Sequence, residues 1–141
     1  MLDVAEFECW RRAGADAAAA AQVQARAGFH QWACFLAEQS AQLVVKGFLH
    51  GVGAGAWSHD PVELGGAWAE AVGETLDADL VASLQRLSRH YIPARYPDAH
   101  PGGAPGTHYG EADSAQALAD AERVASVVDR AWEELRAETE G

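Results

Sequence analysis

Two prolines flank the arginine of this sequence that is best placed to hold an anion. Arg95 lies between Pro93 and Pro97, and His100 follows it with four residues between them. Each proline lacks a backbone donor and disfavours helical geometry in the preceding residue, so the segment is expected to form a pinned loop. A guanidinium binds two phosphate oxygens at once, and an imidazole transfers protons near neutral pH. The pair therefore predicts a phosphate site, with Arg95 and His100 as candidate catalytic residues.

The same residues also have a purely structural interpretation. Tyr91 and Tyr96 would pack with the two prolines, and Arg95 would bind backbone carbonyl groups. Arg and His pairs are common in loops, so the motif by itself is weak. Taken on the residues alone, the structural interpretation is the simpler of the two.

The charge of the chain limits which anions it can bind. Its 10 basic and 21 acidic residues give a formal net charge of −11, which argues against sequence-independent binding of duplex DNA. The basic residues cluster, however, because Arg86, Arg89, His90, Arg95 and His100 fall within fifteen positions. A helix C-terminus that favours cations explains the first three of them but not Arg95. We expect this cluster to be the anion site.

Several classes of protein are excluded at this stage. No run of about 18 apolar residues is present, and the acidic start of the chain does not resemble a secretory signal, so a cytoplasmic protein is expected. Cys9 and Cys34 are predicted to lie on successive antiparallel helices, too far apart for a disulfide. The spacing of His59, His100 and His108 fits no local metal motif. We therefore predict neither a metal nor another cofactor.

Apolar spacing predicts a single all-α domain over residues 1–141. No segment alternates with period two for long enough to be a strand. The expected architecture is an antiparallel up-and-down bundle of about five helices, four longer and one short. These helices are expected to run from about Val4 to Arg26, Phe29 to Leu49, Pro61 to Gly73, Asp77 or Asp79 to Pro93, and Ser114 to Ala137.

Polar residues interrupt the second of these helices. Glu38, Gln42 and Lys46 follow one another at intervals of four and therefore share one face. The default interpretation of Glu38 and Lys46 is a solvated face. Trp32 and Leu36 lie on the opposite, apolar side, which is expected to pack inward.

Five segments occur in order along the chain: the string Phe35 to Ala41, Lys46 to Leu49, the Ser58-His59-Asp60 turn, the loop from Tyr91 to Asp98 and the Ala-rich last helix. Taken together, these segments resemble the HEPN domain family, whose acronym stands for higher eukaryotes and prokaryotes nucleotide-binding. The resemblance covers nearly the whole chain, and its most specific part is the Arg-Tyr-Pro-Asp loop. Membership would imply a bundle of about five helices that commonly dimerises through its long helices.

The resemblance implies, first, a binding module. Many small bacterial members look like partners of minimal nucleotidyltransferases, often in toxin and antitoxin pairs, and some bind nucleotides. In this chain the anion would be held by Arg95, Arg89, Tyr96, Lys46 and His59. We favour this interpretation, since a single nucleotide needs few cationic contacts on an acidic protein.

A second implied function is a metal-independent endoribonuclease. Its motif is an Arg followed four to six residues later by a His, with two copies meeting across a dimer, and Arg95 and His100 match that spacing. His100 would transfer protons and Arg95 would stabilise charge on the phosphate. Tyr96 and Pro97 follow the Arg where the nuclease motif usually has a polar residue. A third possibility is a structural or adaptor bundle, because the fold alone does not fix function.

Overall fold

The computed structural model describes residues 1–140 and contains five α-helices and no strand within that range. The all-α bundle predicted from apolar spacing is confirmed. The helices are α1 (Val4–Arg26), α2 (His30–Gly51), α3 (Pro61–Val72), α4 (Ala78–Ser88) and α5 (Glu111–Glu140). Two short 3₁₀ turns, Pro97–Ala99 and Pro105–His108, lie in the segment that joins α4 to α5.

Local sequence signals fix where three of the helices begin. The carboxylates of Asp3, Asp60 and Asp77 cap α1, α3 and α4 by accepting hydrogen bonds from backbone N–H groups of the first turn. Pro61 occupies the first position of α3, where its missing donor costs nothing. Gly73 ends α3 in the left-handed conformation, with φ of 72°.

The fourth helix is shorter than expected. It ends at Ser88, whose hydroxyl donates to the carbonyl of Gln85, and the chain continues to Pro93 as consecutive turns. Pro93 disfavours helical geometry at Ile92, so the chain leaves the helix before it reaches this proline. As a result α4 has 11 residues and α3 has 12, and the bundle contains three long and two short helices.

The second helix is the centre of the bundle and contacts all four others. Its approach to α1 depends on glycine. A Cβ atom at Gly14 would lie 2.7 Å from Val44 Cγ2, and one at Gly47 would lie 2.8 Å from Trp10 Cβ. Ser40 strengthens this contact by donating a hydrogen bond of 2.7 Å to the carbonyl of Gly14.

Two glycine substitutions are expected to change stability in opposite directions. Gly47→Ala should lower the free energy of unfolding by about 1.5 kcal/mol, because Trp10 Cβ is part of the α1 framework and cannot rotate away. Gly66→Ala should raise it by about 0.5–1 kcal/mol, since Gly66 is exposed in α3 with nothing within 4 Å of the added atom. Urea unfolding followed by circular dichroism measures both changes. Equal changes in the free energy of unfolding for the two variants would contradict the close approach of α1 and α2.

The cysteines differ in environment and form no disulfide in the described residues. Cys9 is exposed on α1, whereas Cys34 is buried on α2. Burial, with a smaller contribution from the charge of Asp113, raises the pKa of the Cys34 thiol to about 12. This thiol is therefore unreactive at neutral pH. None of the helices within residues 1–140 combines the length and the apolar character needed to cross a bilayer.

Candidate anion-binding site

Two residues of the basic cluster, Arg86 and His90, make structural contacts within the bundle. Arg86 binds the buried Asp120 on α5 through its Nε at 2.9 Å and its Nη2 at 2.7 Å, and Ser83 donates to the same carboxylate. His90 lies with Nδ1 3.2 Å from the hydroxyl of Tyr109, and burial lowers the pKa of His90. Arg86 and His90 therefore hold α4 and its following turn against the bundle. Their polar groups are used in these contacts, although both side chains also border a cavity of about 270 Å³ next to Arg89.

Arg95 is held by its own loop and by aromatic rings. Its Nε donates to the carbonyl of Tyr91 at 2.8 Å, which is the backbone contact that the structural interpretation predicts. Its guanidinium carbon lies 4.5 Å from the ring centroid of Phe35, 4.6 Å from that of Tyr91 and 5.0 Å from that of Tyr96. Within residues 1–140, no carboxylate comes within 4 Å of this guanidinium. The guanidinium of Arg95 is thus oriented by π-systems and not by an ion pair.

His100 is attached to the loop rather than directed at a ligand. Its Nε2 donates to the carbonyl of Pro93 over 2.6 Å, because a carbonyl oxygen can only accept. The ring stacks on His108 with centroids 4.2 Å apart and planes 4° apart. Within one chain, both interactions use His100 to close the turn.

The polar face of α2 is buried, so the expectation of a solvated face for Glu38 and Lys46 is wrong. The exposed fractions of Glu38, Gln42 and Lys46 are 0%, 3% and 8%. Glu38 accepts hydrogen bonds from the amide groups of Gln42 and Gln39. Burial raises the pKa of Glu38, while these bonds and the positive charges of Arg95 and Lys46 oppose the shift. Burial likewise lowers the pKa of Lys46, and Glu38 opposes that change.

A continuous series of contacts joins this polar face to Arg95. The Nζ of Lys46 lies 3.4 Å from Nδ1 of His59. The ring of His59 is parallel to that of Tyr91, with 11° between the planes and 6.2 Å between the centroids. Tyr91 in turn contacts Arg95. Sequence reasoning treated Tyr91 as a packing residue; its position four residues before Arg95 is the signal that could have identified it.

A groove of about 590 Å³ opens beside these rings. Its walls include Ser58, His59, Asp60 and Glu63 on one side and Arg89 and Tyr91 on the other.

The predicted binding residues differ in their position relative to this groove. Arg89 and His59 line it, and Lys46 and Arg95 contact its aromatic side chains from outside the lining. Tyr96 is exposed against Arg95, and neither it nor His100 lines the groove. The volume of the groove, about 590 Å³, is typical of a small-molecule site.

Most carboxylates of this acidic protein lie away from the groove cations. Five of the ten basic side chains form ion pairs with carboxylates within 4 Å: Arg11, Arg12, Arg86, Arg123 and Arg136. Of the remaining five, which have no such pair within the described range, Lys46, Arg89 and Arg95 lie at or beside the groove. Glu38, Asp60 and Glu63 oppose these cations from beside and within the groove, so the local charge is near balance although the chain as a whole is strongly acidic. Across residues 1–140, no three His, Cys, Asp or Glu side chains are grouped to hold a metal ion.

Known structures share this arrangement of helices. A crystal structure of TT1696 from Thermus thermophilus matches with a TM-score of 0.85 and 32% identity, covering 89% of this chain and 98% of that one. ST0689, an archaeal HEPN homologue, matches with a TM-score of 0.74 and 28% identity over 88% and 95% of the two chains. An HEPN domain protein from Thermotoga maritima, TM0613, matches with a TM-score of 0.71 over 88% and 97%, and its 22% identity shows the fold alone.

Comparison with protein families agrees with the structural likeness, although no curated protein matches the sequence significantly. The family model for the HEPN domain matches residues 7–132, which include the buried polar face of α2, the groove and the Arg95 loop. The chain therefore belongs to the HEPN domain family.

Proposed function

We propose that this protein is a helical binding module that holds a phosphate-bearing nucleotide in the groove beside Tyr91. The observation that carries the proposal is the gathering of Lys46, Arg89 and Arg95, three cations that form no ion pair within 4 Å among residues 1–140, at or beside one groove of about 590 Å³. Guanidinium groups suit phosphate oxygens in charge and geometry. A mononucleotide needs only a few such contacts, so the acidic remainder of the surface does not oppose it.

Each residue of the site contributes to binding according to its position relative to the groove. Arg89 is exposed on the groove wall and contacts the phosphate directly. His59 and Tyr91 offer parallel rings for stacking. Lys46 and Arg95 lie against those rings and raise the positive potential of the groove from partly buried positions, where charges act more strongly than in water. Tyr96 covers the guanidinium of Arg95 from the solvent side.

Calorimetric titration with AMP tests the proposal. Arg89→Gln and Arg95→Gln should each weaken binding about fivefold, which is the range expected for partly exposed charge contacts. Arg130→Gln removes another arginine that has no carboxylate partner in the described range, but one on α5 away from the groove, and should leave the affinity unchanged. Circular dichroism confirms that each variant is folded. Absence of binding heat for AMP, ADP and ATP with the wild-type protein would overturn the proposal.

Ribonuclease activity is the alternative that the sequence raised. The hydrogen bond from His100 to Pro93 and its stacking on His108 support a structural role for this ring within one chain, and so favour binding over cleavage. Cleavage of RNA in the presence of a chelator, lost in His100→Ala, would replace the binding proposal with a catalytic one.

The proposal also includes a homodimer and a minimal nucleotidyltransferase partner of a toxin–antitoxin system. Gly14 and Ala21 of α1 are buried inside the chain, so these small residues do not contribute to a contact between protomers. The support for assembly comes instead from apolar side chains at the start of α2, where Phe29 is 53% exposed and Trp32 is 43% exposed. Trp32 was expected to pack inward.

A further inference from the structure

The two walls of the groove have opposite polarity. Arg89 provides positive charge at the end of α4, whereas Asp60 and Glu63 provide carboxylates at the start of α3. Neither carboxylate pairs with a cation within 4 Å in residues 1–140. A ligand that fits both walls must be anionic at one end and must donate hydrogen bonds at the other.

The carboxylate wall is fixed in place while part of its acceptor capacity stays free. Asp60 uses Oδ1 to accept from the N–H of Val62 at 3.0 Å. Glu63 uses Oε2 to accept from the hydroxyl of Ser58 at 2.7 Å, and Ser58 accepts from the N–H of Asp60 at 3.0 Å. The second oxygen of each carboxylate makes no hydrogen bond within the described part of the chain. These two oxygens are available to donors on a ligand.

The same geometry fixes which end of the ligand meets which wall. A helix N-terminus normally attracts phosphate, but Asp60 already caps α3 and Glu63 adds negative charge to its first turn. A phosphate is therefore repelled from this wall and directed to Arg89. The exposed ring of His59, which is parallel to that of Tyr91, offers a face on which a flat heterocycle stacks.

We infer that the groove selects nucleotides whose base carries an exocyclic amino group, with the amino N–H groups donating to Asp60 and Glu63 and the phosphate facing Arg89. This inference rests on the proposed function and adds the class of base. A base without a donor at that position displaces water from the carboxylate oxygens without replacing its hydrogen bonds, which lowers its affinity.

Titration calorimetry with two ligands that differ in one group tests the inference. AMP should bind about fivefold more tightly than the 5′-monophosphate of purine riboside, which lacks only the amino group. Glu63→Gln should reduce this ratio, because the charge-assisted bond is lost. Glu70→Gln, on an exposed part of the same helix, should leave the ratio unchanged.

The outcomes separate the two proposals. Equal affinity of the two nucleotides for the wild-type protein would overturn the selection of amino-bearing bases and leave nucleotide binding intact. Failure of both to bind would overturn the proposed function itself. A ratio that persists in Glu63→Gln and also in Asp60→Asn, which keeps the helix cap, would show that the carboxylates do not make the selection.

Discussion

Replacing Arg86 by methionine is expected to lower the Tm by about 10 °C, because it leaves the carboxylate of Asp120 buried without its cation. Asp120 is only 1% exposed, and Arg86 reaches it with two hydrogen bonds. Removing one partner of a buried pair costs far more than breaking an ion pair on the surface. Thermal unfolding at pH 7, followed by circular dichroism, measures the change.

The matched control is Arg89→Met, three residues later on the same turn of chain. Arg89 is exposed and unpaired in the described residues, so its loss should leave the Tm nearly unchanged while weakening nucleotide binding. Equal thermal stability of Arg86→Met and the wild-type protein would contradict the structural assignment of Arg86.

Acid should reduce the difference between Arg86→Met and the wild-type protein. Burial alone would raise the pKa of Asp120, but the hydrogen bonds from Arg86 and Ser83 outweigh it and hold that pKa below its ordinary value. A depressed carboxyl pKa contributes stability that is fully present above the ordinary value and is lost as the pH falls through the folded-state value. The variant has less of this contribution to lose.

Glu38→Gln is expected to tighten AMP binding about tenfold at pH 7. Glu38 is fully buried, and its charge offsets those of Lys46 and Arg95 beside the groove. Removing a buried negative charge in a region of low dielectric strengthens the attraction for an anion by more than a surface substitution does. Glutamine keeps the shape of the side chain and can still accept from a neighbouring amide group. Titration calorimetry of the two proteins measures the change.

The same substitution should alter how binding depends on pH. Burial raises the pKa of Glu38 in the folded protein, and a bound phosphate raises that pKa further. Wild-type binding therefore takes up protons at Glu38 and tightens as the pH falls toward the raised value. The variant lacks this contribution, while any uptake of protons by groups other than Glu38 is common to both proteins and cancels in the comparison.

An exposed acid provides the control for this experiment. Glu70→Gln removes the same charge from the surface of α3 and should change AMP affinity little. Weaker binding by Glu38→Gln would show that the carboxylate positions the cations instead of opposing the ligand.

The helix boundaries were predictable where local signals determine them. The start of α1 at Val4 and the start of α3 at Pro61 follow from capping residues and proline, whose effects act within a few residues. The start of α5 is less well marked, and the helix begins at Glu111, three residues before the expected Ser114.

The site was less predictable because it depends on contacts between distant segments. Glu38 and Lys46 follow a spacing typical of a solvated face, and their burial depends on segments distant in sequence, such as His59 beside Lys46 and the Arg95 loop against α2. The separate roles of Arg86 and Arg89 depend on which side of α4 faces α5. Spacing along one helix contains no information about that choice.

The position of the groove between α3 and α4 has a consequence for the whole fold. An occupant would touch both helices at once and so connect segments that are far apart in sequence. Because such an occupant binds only the native state, it shifts the unfolding equilibrium toward that state by mass action and holds α3 and α4 together while it is bound. The concentration of free nucleotide in the cell would then set how long each molecule survives proteolysis.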